Sequence, residues 1–191
     1  MDNPSFYRKR VGKLDFLTNT SPNLSFSVQN LSQFMQAPHV AHYQVLLHVL
    51  RYLKRQSDLA ILLHKNSDLT LEAYCDSDWA ACSLTRRSVS GYVIFLGNSL
   101  ISWKFKKEGI ISLSLAEVEY KSIRQVVAKL PWLSRLLSEL TVSSITPIPT
   151  KCDNQATIYI VKNSIVTPPT LTGLGPLVLQ VSENKHTEFP L

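Results

Sequence analysis

A chain of 191 residues is long enough for one domain with a sizeable core, or for one domain and an appendage. With 45% hydrophobic and 18% charged residues its composition is globular, which excludes wholesale disorder. Lys and Arg number 20 against 14 Asp and Glu, a net charge of +6 that permits a polyanionic partner without requiring one.

Cys75, Cys82 and Cys152 form neither a Cys-x-x-Cys pair nor a Cys/His metal pattern, and an odd count argues against a disulfide framework. Residues 1–10 carry charges and Pro4 but no apolar signal core, and no apolar run reaches the ~20 residues of a membrane span. The expectation is an intracellular chain, cytoplasmic or nuclear, with no membrane partner.

Within a first region, residues 1–60, the stretch 6–56 reads as helical. Leu31, Phe34 and Met35, then Val45, Leu46, Val49, Leu50 and Leu53, recur at helical spacing. Pro38 starts or precedes the second helix, because proline is tolerated in a first turn and not in an interior. The basic cluster Arg51, Lys54 and Arg55 fits a helix terminus that complements the dipole, with phosphate binding as the alternative.

A second region, residues 61–166, changes texture. Leu69-Thr-Leu-Glu-Ala-Tyr-Cys75 alternates and is rich in strand formers, so it predicts a strand whose C-terminal end delivers Asp76. Residues 89–96 and 100–105 are two further apolar runs, split by the turn signal Gly97-Asn98-Ser99 into a hairpin. Three strands on short links predict an antiparallel meander. From residue 112 the period becomes helical: Ala116, Tyr120, Ile123, Val127 and Leu130 share one face, and Ser114 with Glu117 forms a capping-box pattern. Pro131 predicts a kink or a fresh start, leaving residues 132–140 as a second helical piece. A short strand at 150–152 ends at Asp153, and residues 155–163 predict a helix. The class is therefore mixed α/β. The tail, residues 167–191, holds Pro168, Pro169, Gly173, Gly175, Pro176 and Pro190 without clear periodicity, and predicts irregular structure.

Carboxylates fall at the ends of these elements. Asp76 closes the first strand, Glu117 and Glu119 open the long helix, and Asp153 closes the fourth strand. Strand ends and adjoining helix starts of an open α/β sheet are where ligands gather. Converging carboxylates repel unless a divalent cation lies between them, and an all-oxygen set suits Mg²⁺ or Mn²⁺, pointing to metal-assisted phosphodiester hydrolysis. Each residue has a structural alternative. Asp78 suits a turn, Glu117 is the third residue of the capping box, and Asp153 can cap the last helix.

Several motifs stand in one order: Tyr74-Cys-Asp-Ser-Asp-Trp-Ala80, Thr85-Arg-Arg-Ser88, Ser90-Gly-Tyr92, Phe95-Leu-Gly97, Ile101-Ser-Trp-Lys104, Ala116-Glu-Val-Glu-Tyr120 and Cys152-Asp-Asn-Gln-Ala156. Together they resemble the ribonuclease H region of copia-type LTR retrotransposon polyproteins. Upstream, Val11-Gly-Lys-Leu14, Leu17-Thr-Asn-Thr20, Leu31-Ser-Gln-Phe-Met35 and Leu50-Arg-Tyr-Leu-Lys54 resemble the C-terminal end of the same family's reverse transcriptase.

The resemblance implies a ribonuclease H-like mixed sheet, a three-strand antiparallel meander followed by helix, strand and helix, preceded by a small helical segment. It implies metal-dependent cleavage of the RNA strand of an RNA–DNA hybrid, with Asp76, Glu119 and Asp153 as catalytic carboxylates holding Mg²⁺ or Mn²⁺, and Glu117 and Asp78 as weaker candidates. Arg86, Arg87 and Ser88 match a motif suited to core packing and substrate contact, while Lys104, Lys106 and Lys107 are placed to grip duplex phosphates or to solvate a strand edge. The polymerase's Tyr-x-Asp-Asp sequence is absent, so no polymerase activity is expected. The family's fourth metal-associated Asp has no counterpart after residues 163–166. If Lys185, His186 and Glu188 are its displaced surroundings, its place falls on Pro190, which implies impaired turnover. The alternative is a non-catalytic remnant with weak nucleic-acid binding, and the helical segment, without its polymerase partner, is expected to self-associate.

Overall fold

The computed structural model describes residues 4–56, 61–65, 69–142 and 148–162, together with the backbone of a strand at 177–181. The chain divides into two compact units, one built on Met1–Ile61 and the other on Leu62–Thr187. Among the described residues, no helix is long and apolar enough to cross a membrane.

The first unit is helical: α1 (Pro4–Leu17), a short 3-10 turn at Pro22–Leu24, α2 (Ser25–Ser32) and α3 (Val40–Arg55). Pro22 opens the 3-10 turn, where its missing N–H costs nothing. Pro38 precedes α3, which is capped by His39, whose N–H donates to His42 Nδ1 at 2.9 Å. Tyr7, Val11 and Leu14 lie on one face of α1 and pack with Leu24, Val28, Leu31, Leu46 and Val49. The buried Tyr7 hydroxyl donates to the Leu31 carbonyl at 2.8 Å, so its polar end is satisfied inside the core. Phe34 and Met35 fall beyond the end of α2, where Phe34 stacks on His42 at 3.7 Å between ring centres.

The second unit carries the sheet. Strands β1 (Leu71–Asp78), β2 (Val89–Leu96) and β3 (Ser99–Lys107) form the antiparallel meander. Strand β4 (Ile148–Cys152) runs parallel to β1 on its other side, and β5 (Leu177–Val181) parallel to β4, giving the order β3-β2-β1-β4-β5. Helix α4 (Leu115–Glu139) joins the meander to β4, and α5 (Gln155–Lys162) leads on from β4. This is a ribonuclease H-like mixed sheet. Gly97 turns the β2–β3 hairpin with a φ of 56°, a left-handed value that favours glycine at the first position of a two-residue loop.

Period-2 alternation puts Leu71, Ala73 and Cys75 of β1 on one face with Tyr92 and Ile94 of β2. Against them packs the stripe Ile123, Val126, Val127, Leu130, Leu133 and Leu137 of α4. Each large apolar side chain so buried contributes about 1.5–3 kcal/mol relative to exposure.

Two expectations are corrected. Helix α4 does not restart at Pro131 but runs through it for 25 residues. Its buried stripe continues on both sides, so packing outweighs the one backbone hydrogen bond proline removes. The tail is not wholly irregular either, since Leu-Val-Leu-Gln-Val forms β5. That run is short and rich in strand formers, and it covers the edge of β4 that would otherwise present unpaired backbone groups. Residues 184–190, including Pro190, lie outside the described residues.

Candidate metal centre

Register brings two of the predicted carboxylates level. In the parallel β1–β4 pair Ala73 faces Thr150 and Tyr74 faces Lys151, and a little further along the Cys75 and Cys152 thiols are neighbours and the Asp76 and Asp153 carboxylates lie close enough to repel. Helix α4 adds the third. Its N-cap Ser114 accepts from the Glu117 N–H at 3.2 Å, so the helix starts four residues before Glu119. One turn past Glu119, Ser122 Oγ lies 3.2 Å from the Asp76 carbonyl and 3.0 Å from the Gly91 carbonyl, its single proton shared between them. Trp79 Nε1–H donates to the Ser112 carbonyl at 3.0 Å, tying the end of β1 to the segment that enters α4. The first turns of α4 are thereby fastened at the C-terminal end of β1.

The electrostatics show the crowding. Glu119 is only 2% exposed, and burial pushes its carboxyl up to about 7, with Asp153 and Asp76 adding to the rise. Asp76 is raised for the same reasons, burial first, then the charge of Asp153 and, least, that of Asp78, while the Ser77 N–H, 2.8 Å from Asp76 Oδ1, opposes them. The Ser77 hydroxyl is buried and helps to hold Glu119 down, yet its geometry falls short of a hydrogen bond with any group. Ligand atoms of Glu119, Cys152 and Asp153 all lie within 4.8 Å of one another, with Asp153 exposed at the mouth. Among the described residues, the atoms close enough together to hold an ion are those of Glu119, Cys152 and Asp153, a set that a divalent cation fits, while Asp76 stands outside that group and acts on Glu119 through its charge.

The other two acidic residues sit differently. Glu117 is paired with Lys121 at 2.6 Å and accepts the Leu113 N–H at 2.8 Å, which holds its carboxyl below the usual range, Lys121 foremost. Asp78 is exposed at the last position of β1. Three residues of the site carry no acidic label in the sequence. Cys152, Ser77 and Ser122 are small neutral side chains, and only the strand register and the helix turn reveal their placement.

Among the basic residues, Arg86 and Arg87 are exposed on a loop closed by Arg86 N–H to the Cys82 carbonyl at 2.7 Å and Cys82 N–H to the Arg87 carbonyl at 3.1 Å. Arg86 holds a left-handed φ of 53°, a strained backbone that the closed loop sustains. Ser88 is fully buried and accepts the Ala80 N–H at 3.0 Å, so it shapes the loop from inside. Lys104 and Lys106 are exposed on the edge strand β3, Lys106 lying 3.9 Å from Glu108. Lys107 alternates to the other face, its Nζ 2.9 Å from Cys82 Sγ, and foremost by that contact lowers the thiol to about 6.

A five-strand mixed sheet with carboxylates from β1, α4 and the end of β4 meeting at one end defines a ribonuclease H-like domain. No protein-family model matches the chain. It is 38% identical over 165 residues, 86% of its length, to the retrovirus-related Pol polyprotein from transposon RE2 of Arabidopsis thaliana, and spans 11% of that protein. It is 31% identical over 160 residues, 83% of its length, to the Pol polyprotein from transposon TNT 1-94 of Nicotiana tabacum, spanning 12% of it. An uncharacterized mitochondrial protein of Arabidopsis thaliana is 43% identical over 131 residues, 69% of the chain and 55% of that relative. The chain corresponds to a region of copia-type retrotransposon Pol polyproteins and spans 11–12% of the length of these two relatives.

Proposed function

We propose that the second unit is a ribonuclease H-type endonuclease that hydrolyses the RNA strand of an RNA–DNA hybrid, with Mg²⁺ or Mn²⁺ held by Asp76, Glu119 and Asp153. The observation that carries this reading is the gathering of Glu119 and Asp153 within 4.8 Å with Asp76 beside them, where burial foremost and then neighbouring carboxylate charge raise both Asp76 and Glu119. When bound, the metal supplies an activated water and a stabilised leaving oxygen. The chain's own residues position it. Asp76 is held by the Ser77 N–H, Glu119 by its seat on α4, and exposed Asp153 faces solvent where a backbone phosphate enters. Arg86, Arg87, Lys104 and Lys106 grip phosphates, and recognition rests on backbone and 2′-hydroxyls rather than base sequence. Turnover is impaired, because Pro at position 190 offers no fourth carboxylate.

The test is cleavage of a labelled RNA–DNA hybrid by the full chain in Mg²⁺ and in Mn²⁺. Slow cleavage that disappears in Asp76→Asn is expected. Cleavage unchanged by that substitution rejects the site, and salt-sensitive hybrid binding with no cleavage in either metal leaves a non-catalytic remnant. In the helical unit, Phe16, Val40 and Leu47 expose 75%, 63% and 46% of their surface, which supports self-association through that unit. A molar mass by light scattering that rises with concentration is expected.

A further inference from the structure

We propose that Cys152 makes this centre a binding site for a thiophilic divalent ion, Zn²⁺ in particular, held by Cys152 Sγ, a Glu119 oxygen and an Asp153 oxygen. Cys152 Sγ stands 3.6 Å from Glu119 Oε2. Bond lengths to tetrahedral zinc place a sulfur and an oxygen ligand ~3.5 Å apart, so this pair already has the required separation. The Asp153 carboxylate lies within 4.8 Å of both, and its exposure provides the route of entry. Ser77 Oγ, buried with no hydrogen-bond partner of its own, acts on Glu119 and so lies beside one of the three ligands. Cys75 borders the same site: its thiol neighbours Cys152 and feels the charge of Glu119, and its Sγ also lies 3.6 Å from the Lys151 carbonyl.

Ligand softness sets the selectivity. A thiolate favours Zn²⁺ over Mg²⁺ and Mn²⁺, which the all-oxygen set of Asp76, Glu119 and Asp153 suits. Binding transfers the Cys152 proton to solvent and leaves the thiolate bonded to the ion, with no change of oxidation state. Glu119 and Asp153 belong to both sets, so the two kinds of ion exclude one another, and Zn²⁺ blocks Mg²⁺-dependent turnover. This blocking rests on the nuclease reading, whereas the binding itself does not.

Co²⁺ is the spectroscopic probe, since a bound thiolate gives a sulfur-to-cobalt charge-transfer band in the near ultraviolet. Titration of the full chain should develop this band to one equivalent, and Zn²⁺, but not Mg²⁺, should bleach it. The band should vanish in Cys152→Ser and persist in Cys82→Ser. Should Cys152→Ser fail to fold by circular dichroism, Glu119→Gln should weaken Co²⁺ binding by at least about tenfold. Absence of the band, or a band that survives both Cys152→Ser and Glu119→Gln, overturns the proposal. Hybrid cleavage in Mg²⁺ without any band rejects the thiophilic site alone. A band in a chain that never cleaves hybrid supports the site and rejects the nuclease reading alone.

Discussion

At the scale of single residues, Glu119 couples the centre to stability. Its ordinary value is 4.5 and its folded value about 7, so between them the folded chain holds a proton that the unfolded chain has released. Unfolding free energy therefore falls as pH rises through that window, and the stability tied to the retained proton is lost above about 7. The full effect is on the order of 3 kcal/mol, and Asp76, also raised, contributes with the same sign. Denaturant unfolding of the metal-free chain should show lower stability at pH 8 than at pH 5.5. Glu119→Gln should flatten this dependence, and Mg²⁺ at pH 8 should restore stability to the wild type but far less to the variant. Stability that rises between those two pH values would reject the buried, crowded environment of Glu119.

Among the elements, α4 does most to assemble the centre, because it carries Glu119 and covers the sheet with one apolar stripe. Ser114→Ala removes the hydroxyl that accepts the Glu117 N–H and should cost about 1 kcal/mol in urea denaturation. Leu130→Ala opens a cavity at a side chain 1% exposed and should cost about 2–5 kcal/mol. This helix also shows what the sequence made legible. The Ser114 cap and the Ile123, Val127 and Leu130 face are local signals, and both stand in the structure. Continuity through Pro131 was not legible, since local chemistry predicts a break and only burial on both sides of the proline overrides it. Strand β5 was hidden in the same way. Its five residues carry too little period to stand out among prolines and glycines, and its pairing partner β4 lies far back in the chain.

Across the whole molecule, the approach of Asp76 to Asp153 depends on a parallel pairing between strands separated by the β2–β3 hairpin and a 25-residue helix. Spacing marks both residues as strand ends, but Cys152, Ser77 and Ser122 join the site through register alone. The net charge of +6 acts on a polyanion at long range, while only exposed cations can lose counterions to it. Lys104 and Lys106 share the outer face of edge strand β3, and Lys106 is partly offset by Glu108 at 3.9 Å. Lys104→Ala should therefore lower the slope of log affinity for hybrid against log salt by about 1, the amount of one phosphate contact, and Lys106→Ala by less. Fluorescence anisotropy over a salt series, with Ca²⁺ in place of Mg²⁺ to suppress turnover, measures both slopes. Equal slopes in wild type and both variants would move the hybrid off β3 and leave the loop of Arg86 and Arg87 as the phosphate contact.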